Sequence, residues 1–223
     1  DVACVIQADT GVFDLDGTLI DSAPDIQGVA NALLAPYGMQ ITLAQTHSFV
    51  GNGVPVFVTR MLEAVELPQQ LHGDMVEAFK AAYLTAHHDT VLYPQVGQTL
   101  KALHDDGHAL GICTNKPLAP CMAAMDHLSL SPYFQTFWGG DSLPVSKPDP
   151  APLLAAFMAL GAGQCIYVGG SEVDAQTAQA CGVPFLLFTE GYRKTEVSDI
   201  PHTAAFSDFA ALPELAMRYA GPL

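Results

Sequence analysis

Two aspartates one residue apart close the first apolar run of the chain, in the order Asp14-Leu15-Asp16-Gly17-Thr18 after Gly11-Val12-Phe13. Alternate side chains of a strand share a face, so Asp14 and Asp16 point one way while Leu15 packs the other. Gly17 permits close backbone approach, and Thr18 adds a hydroxyl donor. Three further groups lie downstream: Thr114-Asn115-Lys116-Pro117, Lys147-Pro148-Asp149-Pro150, and the stretch from Cys165 to Asp174 that reads CIYVGGSEVD. In the last, an apolar run ends in two glycines and acidic residues follow at spacings that suit a cation. Asp174 falls one helical turn beyond Gly170.

These groups need a scaffold that brings them together. Strand-like runs recur at 11–15, 109–113, 136–138, 165–169, 184–188 and 204–206, each ending in a polar or glycine-bearing loop. Helical patterns fall between several of them: Val96 to His104, Ala151 to Leu160, and Asp174 to Cys181 with Gly182 as its stop. Alternation of this kind predicts an α/β fold with a Rossmann-like parallel sheet covered on both faces. In open sheets of that class ligands bind beyond the carboxyl ends of the strands, where all four groups fall.

Residues 23–92 break the alternation. Ile26, Val29, Ala30, Leu33, Leu34 and Tyr37 recur at helical spacing, with Asp21 or Ser22 as N-cap, Pro24 in the first turn and Gly38 at the end. A second helix is expected from Val54 to about Val65 and a third from about Asp74 to Ala86. The reading is an α-helical cap at 23–92 inserted into a core made of 1–22 and 93–223.

Half of the 223 residues are apolar and 14% are charged, which excludes a disordered acidic tail. A net charge of −15 with only eight scattered Lys and Arg argues against nucleic acid as a partner. No run approaches the roughly 20 apolar residues that span a bilayer. Five cysteines without a CxxC spacing fit a reducing, cytoplasmic setting better than a disulfide framework. The first ten residues, DVACVIQADT, lack a basic signal-peptide start and carry no assigned function.

FDLDGTL, with TNKP, KPDP and VGGSEVD following in order, resembles the four signatures of the haloacid dehalogenase (HAD) superfamily of phosphatases over residues 11–223. At finer grain GNG (51–53), YPQV (93–96), GGDSLP (139–144) and KPDPAPL (147–153) are similar to its phosphoglycolate phosphatase branch. The resemblance implies that Asp14 attacks phosphorus, Asp16 carries the proton, Thr114 and Asn115 hold phosphoryl oxygens and Lys147 neutralises charge. It implies Mg²⁺ held by Asp14, the Asp16 carbonyl and an acid of the fourth signature. That signature usually reads Gly-Asp-Ser-x-x-Asp, so Gly170 stands where the principal ligand is expected, and Asp174 is left to order water around the ion. Gly51, Asn52 and Gly53 are expected to close over a small phosphorylated metabolite, with Arg60 or His47 as possible carboxylate partners. The protein is expected to be a monomer or homodimer.

Other candidates read as structural. His104 and His108 bracket a glycine turn, His87-His88 lies near the cap hinge, and Cys113 sits inside a strand as a small apolar group. Asp141, in GGDSLP, is the acid that could stand in for the missing ligand.

Overall fold

The computed structural model describes residues 9–223; the expectation for the chain start therefore lies outside it except at Asp9 and Thr10. The chain enters β1 (Thr10–Phe13), forms a short β2 (Ile20–Asp21), and passes into α1 (Ala23–Leu34), α2 (Leu43–Phe49), α3 (Val54–Ala64) and α4 (His72–Tyr83). It returns through β3 (Val91–Leu92) to α5 (Val96–Asp105), β4 (Ala109–Cys113), α6 (Leu118–His127) and β5 (Thr136–Trp138). Next come α7 (Ala151–Ala159), β6 (Gln164–Gly169), α8 (Glu172–Cys181), β7 (Phe185–Phe188), β8 (Ala204–Phe206), α9 (Leu212–Tyr219) and β9 (Gly221–Pro222).

The main sheet runs β5-β4-β1-β6-β7-β8, all parallel, and β9 pairs antiparallel with the start of β6. Strand alternation divides its side chains between two cores. Phe13, Ile112, Val168 and Phe188 pack towards α5, α6 and α9, while Val12, Cys113, Tyr167 and Leu187 pack towards α7 and α8. Both faces are covered, which is why these strands read as continuous apolar runs. The α/β class expected from the sequence is the class observed.

Helices α1 to α4 carry their own apolar cluster, including Ile26, Leu34, Phe57, Met61 and Phe79. They join the sheet through β2 and β3, which pair antiparallel, Ile20 with Leu92 and Asp21 with Val91. That strand pair was not visible in the sequence, since two residues carry no periodicity. Nor was α2, whose Thr42–Gln45 capping box is the local signal that marks its start. The first helix ends at Leu34 rather than Tyr37, because Pro36 lies in a following 3₁₀ turn that Gly38 closes at φ 69°. Ser22 is the N-cap by position, but its hydroxyl makes no capping bond and turns to Asp16 instead.

Candidate active site

The four sequence groups meet at the carboxyl ends of β1, β4 and β6. Strand β1 stops at Phe13, so Asp14 is the first residue beyond it, and its backbone N–H still donates to the Val168 carbonyl at 2.9 Å. Asp14 and Asp16 both line one cavity, with Thr114, Asn115, Lys116 and Pro117 as further sheet-side walls. The opposite wall is apolar and comes from the helical unit: Ile26, Val54, Phe57, Phe79 and Tyr83.

Beneath Asp14 lies a buried ionic cluster. Lys147 Nζ is 3.3 Å from Asp14 Oδ1 and donates to Asp174 Oδ1 at 2.7 Å and to the Tyr167 hydroxyl at 2.9 Å. Tyr167 in turn donates to Asp174 Oδ1. Asp174 is fully buried, and its other oxygen accepts from the Gly170 N–H and the Ser171 hydroxyl, both at 3.1 Å. Burial works against its charge, yet the Lys147 ammonium holds the Asp174 carboxyl below the usual range. Asp14 has fewer donors. Burial first, and the Asp174 carboxylate second, push its carboxyl up to about 8 against the pull of Lys147. Burial also pushes the Cys113 thiol up to about 12, as for an inert apolar group.

Asp16 is held on one oxygen by the Ser22 hydroxyl at 2.5 Å and by Lys116 Nζ at 3.2 Å. The Lys116 ammonium also sits over the Tyr83 ring of α4, 4.0 Å from its centroid. Lys116 is 7% exposed and spans from sheet to helical unit. In the sequence it is one residue of TNKP, and its lone position gives no signal until the helices fold over it.

The expected phosphate ligands are placed unequally. Thr114 lines the cavity, its hydroxyl accepting from the Lys116 N–H at 3.1 Å. The Asn115 side chain is committed elsewhere: it donates to the carbonyls of Gly51 and Lys147 and accepts from the Lys147 N–H. With both N–H groups used, it braces the Gly51 loop against the Lys147 loop rather than facing a ligand. Gly51 and Gly53 line the cavity at φ 126° and 91°, while Asn52 turns to Arg60. Arg60 is bound to Asn52 and the Phe49 carbonyl, and His47 stacks on Tyr192 with ring centroids 4.8 Å apart; neither is among the residues that line the cavity. His87 lies against His127, at 4.4 Å between ring centroids, and is not among the residues that line the cavity.

The donors can be tested against the magnesium ion that the resemblance implies. Asp14 and Asp16, whose carbonyl is the expected second donor, stand at the cavity. Asp174 does not: one of its oxygens accepts from Lys147 and Tyr167 and the other from Gly170 and Ser171. Gly170 offers no side chain, and a Cβ there would stand 2.2 Å from the Gly17 carbonyl oxygen. Glu172 accepts from Lys194 and Thr195, and Asp141 accepts from the Leu118 N–H at the start of α6, so neither replaces it. Among the described residues no group of three or more His, Cys, Asp or Glu is arranged to hold a metal. Asp14 and the Asp16 carbonyl, with no acid of the fourth signature beside them, leave the donor set one protein ligand short for a tightly held magnesium ion. The Thr18 hydroxyl is buried without a partner, 3.2 Å from where a Cβ at Gly170 would be.

Residues 12–188 match the model of the haloacid dehalogenase-like hydrolase family. A phosphoglycolate phosphatase from Cereibacter sphaeroides is 46% identical over 210 residues, covering 92% of this chain and 95% of that protein. One from Rhodobacter capsulatus is 46% identical over 205 residues, covering 91% and 94%. The crystal structure of a predicted phosphoglycolate phosphatase from Haemophilus somnus superposes with a TM-score of 0.86 at 28% identity, covering 95% of this chain and 99% of that one. Paired carboxylates at the first strand end, a buried lysine beneath them and these likenesses agree: the chain belongs to the haloacid dehalogenase-like hydrolase family.

Proposed function

We propose that the protein hydrolyses 2-phosphoglycolate to glycolate and phosphate, with the helical unit acting as a cap over the site. The observation that carries this reading is the shared cavity: Asp14 and Asp16 face it from the end of β1, with ammonium groups behind each. The similarity to proteins named phosphoglycolate phosphatase supports the substrate.

In the first step an Asp14 carboxylate oxygen attacks phosphorus, the bond to the ester oxygen breaks, and Asp16 gives that oxygen its proton. Glycolate leaves, and the phosphoryl group stays on Asp14. Asp16, now a carboxylate, takes a proton from water as the hydroxyl adds to phosphorus and Asp14 is released. Lys147, 3.3 Å from Asp14, offsets the charge that gathers on nucleophile and phosphoryl oxygens. The apolar cap wall excludes bulk water, which strengthens these interactions. No step is routed through a metal ion.

The test is phosphate release from 2-phosphoglycolate beside a panel of sugar phosphates, at several Mg²⁺ concentrations, with Asp14→Asn as control. Release from 2-phosphoglycolate that Asp14→Asn abolishes supports the reading. Turnover confined to sugar phosphates replaces the substrate, and turnover that survives Asp14→Asn removes the mechanism. The Gly17 carbonyl in the space beside Gly170 favours a second reading, a chain that binds the phosphorylated ligand with little turnover. Saturable binding without phosphate release would select it.

A further inference from the structure

The cavity presents a sharp asymmetry of charge. Its cap wall carries no ionised side chain, and Lys116 is the one cation among the described residues that line it. The other nearby cations are spoken for. Lys147 is held beneath Asp14 by Asp174 and Tyr167, Arg60 by Phe49 and Asn52, and Lys194 reaches the Val50 carbonyl. Lys116 has one carboxylate contact, to an Asp16 oxygen that Ser22 also holds, and otherwise meets Tyr83, through the ring face and a side-chain hydrogen bond. An ammonium has three donors, so one is left over for the cavity that Lys116 lines.

We infer that Lys116 is the specificity-determining residue of the site: it reads a carboxylate on the alcohol portion of the substrate, and so selects short acidic phosphomonoesters over neutral ones. This deepens the phosphatase reading and rests on it. The phosphoryl group lies against Asp14, and the rest of a small substrate extends towards the apolar wall formed by Phe57, Phe79 and Tyr83. A carboxylate there meets no cation except Lys116, and an unpaired buried charge is strongly disfavoured. A hydroxylated sugar fares little better against this wall, because its hydroxyl groups find few polar atoms. Tyr83 couples the selection to the cap, since the ring that holds the ammonium in place is part of α4.

The test uses two ligands that cannot be hydrolysed, 3-phosphonopropionate and propylphosphonate, which differ by the carboxylate. Affinities are measured by calorimetry for the wild-type protein, Lys116→Met and Lys116→Arg. The wild type should prefer 3-phosphonopropionate by about 10- to 100-fold, the range of a hydrogen bond to a charged group. Lys116→Met should erase the preference, read as the ratio of the two affinities so that any loss common to both ligands cancels, and Lys116→Arg should restore part of it. If Lys116→Met does not fold, Lys116→Gln carries the same comparison. A preference that survives loss of the ammonium overturns the inference, as does parallel weakening of both ligands or no preference in the wild type. A failure of the phosphatase reading looks different: the preference stands and depends on Lys116, but no monoester releases phosphate.

Discussion

Replacing Gly170 by alanine adds one methyl group where a backbone oxygen already stands. The Gly17 carbonyl must retreat by about 1 Å from its 2.2 Å separation to reach ordinary contact. It has little freedom to do so. The Gly17 N–H is bound to the Ile20 carbonyl at 2.8 Å, and a Cβ built at Gly191 would stand 2.0 Å from the same Gly17 oxygen. Overpacking against backbone costs about 1–3 kcal/mol, and a chain of this size loses about 2–4 °C of Tm per kcal/mol. The expected loss for Gly170→Ala is therefore about 2–12 °C. Gly170→Asn brings the same clash but offers an acceptor to the stranded Thr18 hydroxyl. Satisfying that group returns about 1 kcal/mol, so Asn should melt above Ala. Gly170→Asp adds a carboxylate beside Asp14 and Asp174, and without a cation should melt below Asn. Magnesium should then raise the Asp variant and not the Asn one, by about 4 kcal/mol if the ion is present at 1,000 times its Kd. Differential scanning calorimetry in chelator and in Mg²⁺ reads all four proteins. If Gly170→Ala is as stable as the parent, the Gly17 carbonyl is not wedged there. If Asn does not exceed Ala, the Thr18 hydroxyl is not waiting for a partner.

Asp14 makes stability and activity move oppositely with pH. Its folded-state carboxyl is raised from 3.8 to about 8, so the stabilisation from its bound proton is complete below the unfolded value and is lost as pH rises towards about 8. Because attack requires the carboxylate, kcat/KM in low magnesium should climb over the same interval; a profile flat from about pH 6 upward contradicts this. Lys147→Met strips Asp174 of its ammonium and should cost about 3–5 kcal/mol in urea unfolding, more than the roughly 1–3 kcal/mol for Tyr167→Phe. The reverse order would mean that Tyr167 rather than Lys147 neutralises the buried carboxylate. Tyr192 accepts from the Ser22 and Ala23 N–H groups and donates to Asp21, tying the hinge beneath α1. Tyr192→Phe should speed hydrogen exchange at those two amides about tenfold or more while leaving the β6 amides unchanged. Equal acceleration in both places would mark global destabilisation instead.

Sequence alone determined the class of fold and the origin of the chemistry. Apolar runs of four to six residues ending at Asp14, Thr114 and Gly170 could be read because a doubly covered parallel strand has no polar face. Helices α1, α3 and α4 were equally legible, since each buries a stripe at 3.6-residue spacing. The missing side chain at Gly170 was likewise a fact of sequence. Tertiary structure decided how each polar group is spent. Asn115 braces two loops, Asp174 closes an ion pair with Lys147, and Lys116 stands between Asp16 and Tyr83. None of these partners is near in sequence. Asp174 and Lys147 are 27 positions apart and Lys116 and Asp16 are 100, so only the packing of sheet and helices could bring them together. The same holds for the Gly17 carbonyl beside Gly170: the space a side chain leaves is filled by whatever the fold brings nearest, because interiors pack close.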